Sequence, residues 1–176
     1  MIKKGCANHN LFVFITYTYI VSNQNIKTMK TYKACIPKIS LTKEPTNFKK
    51  VKITNAKDAY DFSLNFWKTD IELFESFFLL ILNRANNTIG YVKISQGGCV
   101  GTVVDVKLIC KYMIESLSSG CIVFHNHPSG NLEPSEADKK ITQKIKSALN
   151  ILDINLIDHV ISTKNGYYSF NDNGIM

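Results

Sequence analysis

From residue 51 onward the apolar and polar positions follow two different periods, and the switches between them outline a series of helices and strands. Asn55 is placed to cap a helix running to Trp67, with Ala59, Phe62, Ser63 and Phe66 along one face. Residues 75–83, ESFFLLILN, are apolar on both alternating faces, which predicts a central strand rather than an edge. Residues 84–88 (RANNT) supply a turn and residues 89–95 (IGYVKIS) a partner strand, so a hairpin is expected. A glycine-rich bend at Gly97, Gly98 and Gly101 follows, then Val106, Ile109, Cys110, Met113 and Leu117 at helical spacing over 105–117, with residues 118–120 ending that helix. Residues 121–127 (CIVFHNH) read as a buried strand and, after a Pro-Ser-Gly loop, residues 136–152 as a helix. A strand over 155–162 and a turn at Asn165 and Gly166 lead into 167–170. Helices and strands interleave, so the predicted fold class is α/β, a mixed β-sheet flanked by helices.

Residues 1–50 read differently. A lysine pair, Lys3 and Lys4, precedes an apolar run over 11–21 that is too short for a bilayer, which takes about 20 residues. Three readings stand side by side: a translated leader with the true start at Met29, a signal peptide that has no clear cleavage site, and an added strand. The expected organisation is therefore a doubtful leader over 1–28, an N-terminal extension over 29–50 and one domain over 51–176.

Composition narrows the class without naming a partner. The chain has 176 residues, 45% of them hydrophobic and 20% charged, which fits neither a disordered chain nor a polytopic membrane protein. Its net charge of +7 raises nucleic acid as a partner. Removing Lys3, Lys4 and Lys27, which the first 28 residues carry with no acid, leaves +4 for residues 29–176. Arg84 is the one arginine, and sequence-specific readout leans on the guanidinium fork that lysine lacks. The five cysteines, at 6, 35, 99, 110 and 121, form no CxxC pair, and an odd number cannot all pair within one chain. Free thiols and a cytoplasmic location are expected, with Cys110 and Cys121 as small hydrophobes inside apolar runs.

The chemistry concentrates after residue 120. His125 and His127 stand two apart on a predicted strand, so both imidazoles leave the same face, shared with Cys121 and Val123. Ser135 reads as the N-cap of the next helix and Asp138 as its N3 residue, a capping box in which Asp138 needs no further role. However, drawn at about 100° per residue, Asp138 projects within about 60° of Ile141, Ile145 and Leu149, so the carboxylate points inward. An inward carboxylate needs a cation or donors, and the intervening loop is short enough to return it to the histidines. Two histidines, an aspartate and one water make an open tetrahedral zinc site of the hydrolytic kind, so Zn²⁺ is the expected cofactor.

The run H-x-H-x7-S-x2-D, here His125, His127, Ser135 and Asp138, resembles the metal signature of the JAB/MPN metalloprotease superfamily. HNHPSGNLEPSEADKKIT, then LIDHVIS and YYSF, is similar to its RadC-like branch over roughly residues 51–176. The resemblance implies a JAB/MPN, cytidine-deaminase-like architecture and a zinc metallo-hydrolase acting on a peptide or isopeptide. By the same resemblance Glu75, at the head of ESFFLLILN, is the general base, with Glu72 the competing candidate. Ser135 is then the serine that helps hold the oxyanion or the water, alongside its capping role. Asp158 of the pair Asp158-His159 is expected to be structural, or else to orient a ligand histidine. Asn126 is expected to bond nearby backbone.

Two features depart from the family pattern. The V-H-P-R-E stretch common in the family is replaced by Val103, Val104, Asp105, Val106 and Lys107, and residues 1–50 lack a helix-hairpin-helix region of DNA-binding type. The rival expectation is a DNA-repair-associated or mobile-element accessory module without turnover, and no membrane association is expected. An HNH nuclease is excluded because its three residues are spread over a ββα unit. A zinc deaminase is excluded because the chain has no CxxC.

Overall fold

The structure, a computed structural model, describes residues 42–67, 70–98 and 103–176. The leader, most of the extension and the Gly101 part of the glycine-rich bend lie outside the described residues. Eight elements follow in chain order: α1 (Ala56–Trp67), β1 (Ser76–Leu82), β2 (Thr88–Gln96), α2 (Val106–Glu115), β3 (Gly120–Asn126), α3 (Glu136–Asn150), β4 (Asn155–Thr163) and β5 (Gly166–Ser169). The strands form one mixed sheet in the order β2-β1-β3-β4-β5, with β3 and β4 parallel and the other pairs antiparallel.

The sheet separates two hydrophobic layers. Phe77, Leu79 and Ile81 of β1 and Cys121 and Val123 of β3 pack with Val106, Ile109 and Met113 of α2 and Ile145 and Leu149 of α3. Phe78, Leu80 and Leu82 of β1 and Ile122 and Phe124 of β3 pack on the other face with Ala59, Phe66 and Trp67 of α1. Every residue of β1 and β3 is buried, which is why neither strand shows polar alternation in the sequence. No helix among the described residues is long and apolar enough to cross a membrane.

The elements match the sequence periodicities, with differences at the ends. The helix expected over 105–117 stops at Glu115, and Leu117 takes φ 51° and is 90% exposed. Its helical spacing with Met113 is therefore coincidental: Leu117 sits past the cap residue Ser116, in the left-handed position that reverses the chain. The last hairpin turns at Lys164 and Asn165, with Thr163 paired to Gly166, one residue earlier than expected. β4 carries a further irregularity. Cys121 pairs with Leu156 and Ile122 with Asp158, so Ile157 is an extra residue on the β4 side. That shift reverses the inside-outside alternation along β4 and sets His159 opposite Val123, on the α2/α3 face.

Candidate metal centre

Strand β3 brings both histidines to its C-terminal end. His125 is buried at 1% exposure, and His127 lies just past the strand, its backbone N–H donating to the Ser162 carbonyl. α3 begins above them because the Ser135 hydroxyl accepts from the Asp138 N–H while the Asp138 carboxylate accepts from the Ser135 N–H, a complete capping box. The box and the inward carboxylate are therefore one feature. Asp138 Oδ2 also accepts from the Ser135 hydroxyl at 2.6 Å, and Oδ1 lies 3.3 Å from His125 Nε2.

Three ligand-type atoms converge here. One donor atom each from His125, His127 and Asp138 lies within 4.8 Å of the others, and the two Nε2 atoms are 2.9 Å apart. His127 Nδ1 is 2.6 Å from the Asn131 carbonyl, which can only accept, so that nitrogen carries the ring proton and Nε2 of the neutral ring presents a lone pair. Lone pairs and a carboxylate facing one another call for a cation between them, and two nitrogens with one oxygen suit zinc. The donor set thus fits a metal ion.

The electrostatics of the protein alone agree. Burial drives the His125 imidazole down to about 4, against the pull of Asp138. The Asp138 carboxylate, 3.7 Å from His127 Nε2, raises His127 above its ordinary value, with the Asn131 carbonyl and, through space, Glu75 adding to this. Burial disfavours the charged form of Asp138, yet the nearby His127 and His125 rings and the bonds from Ser135 together hold its carboxyl well below the usual range.

The two candidate glutamates separate clearly. Glu72 is exposed and paired with Lys164 at 3.1 Å. Glu75 is half-buried at the entrance to β1, its carbonyl accepting from the Gly97 N–H, and its charge is felt by His127. A polar hollow of about 210 Å³ adjoins His127 and is lined by Glu72, Ser129, Gly130 and Lys164 among others. Ser135 is exposed, with its hydroxyl committed to Asp138.

Asn126, between the histidines, faces the other side of the sheet and is fully buried. It accepts from the Trp67 indole and the Ser76 N–H, both at 2.8 Å, and donates to the carbonyls of Ile71 and Phe74. The expectation of backbone bonding was thus too modest: Asn126 ties the segment that carries Glu75 to the histidine strand. Asp158 bonds the Ser169 hydroxyl and the backbone N–H groups of His159 and Asn171, as a structural residue does, while burial pushes its carboxyl up. Sequence reasoning missed His159 and Thr142. His159 is fully buried with Nε2 2.8 Å from His125 Nδ1, and burial drives its imidazole well below the ordinary value. A lone histidine within the apolar run LIDHVIS was the available signal.

Comparison with known proteins places these residues in a family context. The family model described as "RadC-like JAB domain" matches residues 53–175. A UPF0758 protein of Flavobacterium johnsoniae is 48% identical over 125 residues, covering 70% of this chain and 53% of the relative. A UPF0758 protein of Porphyromonas gingivalis is 37% identical over 125 residues, covering 70% and 54%. Another, from Chlorobium chlorochromatii, is 41% identical over 102 residues, covering 58% and 46%. The chain spans about half the length of these curated relatives.

Proposed function

The chain belongs to the RadC-like JAB domain family, and from that premise we propose that it is a zinc-dependent hydrolase of the peptidase or isopeptidase type. The observation that carries this reading is the convergence of His125, His127 and Asp138 within 4.8 Å, two lone-pair nitrogens and a carboxylate. His125 Nε2, His127 Nε2 and Asp138 Oδ1 would hold the ion. When bound, zinc supplies Lewis acidity, polarising a scissile carbonyl and making water acidic enough to attack near neutral pH.

The remaining work falls to the chain's own groups. Glu75, whose charge already acts on His127, takes a proton from the attacking water and returns it to the leaving amine. Ser135 holds Asp138 Oδ2, which leaves Oδ1 aimed at His125 Nε2, and its hydroxyl would assist the oxyanion only by turning away from Asp138. The hollow beside His127 receives the substrate strand next to the scissile bond. Cys110 and Cys121 are free thiols, which suits a reducing cytoplasm.

The test is a cleavage screen against peptides and lysine isopeptides with zinc-loaded wild type and Glu75→Gln. Turnover by wild type that falls by about 10²–10⁴-fold in the variant supports the reading. Identical behaviour of the two overturns it in favour of a role without turnover.

A further inference from the structure

The hydrogen bonds behind His125 form a directed series that can be read without ambiguity. Thr142 Oγ1 lies 2.6 Å from the Asp138 backbone carbonyl and 2.6 Å from His159 Nδ1. A carbonyl only accepts and a threonine hydroxyl has one proton, so Thr142 donates to Asp138 and offers a lone pair to His159. His159 Nδ1 must then carry the proton. The ring of His159 is fully buried, stacked on Phe170 at 4.6 Å and edge-on to Phe77, and among the described residues no carboxylate bonds to it. Burial without a counter-charge keeps it neutral, so its Nε2 is an acceptor. His125 Nδ1, 2.8 Å away, donates to it. His125 Nε2 is left without a proton, facing His127 Nε2 and Asp138 Oδ1.

We infer that His159 is a positioning residue for the metal centre, holding His125 in the single tautomer that presents Nε2 as a ligand, and that Thr142 sets His159 in turn. The inference rests on the metal reading above and deepens it. The series starts at the backbone of Asp138 and ends at His125, beside the carboxylate of that same Asp138, so it links two of the three ligand residues across α3, β4 and β3. Phe77 lies parallel to the His125 ring and edge-on to His159, packing beside both ring planes. Such partners of ligand histidines fix ring orientation and raise ligand basicity, and losing one costs about 10–100-fold in metal affinity.

The experiment uses the full chain and two readouts. Long-range ¹⁵N NMR of the metal-free protein reports tautomers. The expected result is Nδ1–H for both His125 and His159, with Thr142→Val releasing His159 to the other tautomer. Zinc and cobalt affinities by chelator competition are then compared for wild type, His159→Phe, His159→Gln and Leu149→Ala. His159→Phe loses about 10–100-fold and alters the cobalt visible spectrum, His159→Gln recovers part because its carbonyl still accepts from His125, and Leu149→Ala lowers stability without changing affinity. Nε2–H on His125, or His159→Phe binding zinc within about threefold of wild type, overturns the inference. Absence of zinc binding by wild type overturns the metal reading and the positioning role together, while the tautomers still decide the hydrogen-bond series.

Discussion

The side-chain oxygen of Asn126 accepts the backbone N–H of Ser76 at 2.8 Å. Through this bond the residue between the two site histidines holds the start of β1, immediately after Glu75. The same side chain completes its hydrogen-bonding capacity with Trp67, Ile71 and Phe74. Asn126→Ala strands three buried partners and one half-buried one, and the expected loss is about 3 kcal/mol or more of stability, read by urea denaturation. Zinc affinity per folded molecule should survive, since the ligands lie on the opposite face, while cleavage falls with the displaced Glu75.

Zinc should stabilise the wild type. An ion that binds only the folded chain raises the melting temperature by mass action. His127→Ala is expected to abolish that rise and leave the metal-free melting temperature nearly unchanged, because His127 lies outside both hydrophobic layers. Differential scanning fluorimetry with and without a chelator checks this.

Acid should weaken metal binding in one identifiable step. In the metal-free protein His125 loses its proton at about 4, whereas His127 keeps its proton above the ordinary histidine value. An incoming ion near neutral pH therefore displaces the His127 proton, so affinity rises with pH until His127 is neutral and then levels off. Proton release per ion should be larger at pH values where His127 is protonated and vanish where it is neutral. Calorimetry in buffers of different ionisation enthalpy measures it.

The two glutamates should behave unequally. Glu72→Gln removes an exposed ion pair with Lys164, worth about 0–1 kcal/mol, and is expected to leave zinc binding unchanged. Glu75→Gln is expected to retain zinc but lower the metal-free pKa of His127, since the Glu75 charge helps to raise it. NMR titration of the His127 ring separates the two variants.

Leu117 is a leucine at φ 51° with 90% exposure, unfavourable on both backbone and solvation grounds. Leu117→Asn should raise stability by about 0.5–1 kcal/mol, because asparagine tolerates the left-handed region. Thermal melts check the sign.

Much of the fold was legible because burial leaves a period in the chain. ESFFLLILN read as a central strand and CIVFHNH as a buried one, and β1 and β3 lie there, while the stripe of Ile141, Ile145 and Leu149 both defined α3 and aimed Asp138 inward. The candidate ligands were legible for the same reason: a two-residue spacing and a capping box are local, and local geometry follows from backbone periodicity. Leu117 shows the limit of that reasoning, since a helical spacing continues on paper past a cap that ends the helix in space.

The surroundings of the ligands were decided elsewhere. In LIDHVIS, alternation from Leu156 would set Asp158 on the side of the histidines, yet the extra residue Ile157 in the pairing with β3 puts His159 there instead. Register between strands depends on partners distant in sequence, so no period within β4 could reveal it. Spacing along the chain marked His125, His127 and Asp138 as side chains that could take a metal. Only the tertiary structure decided which neighbours hold them, because a hydrogen bond between His125 and His159, or between Thr142 and His159, exists only once β3, β4 and α3 are packed together.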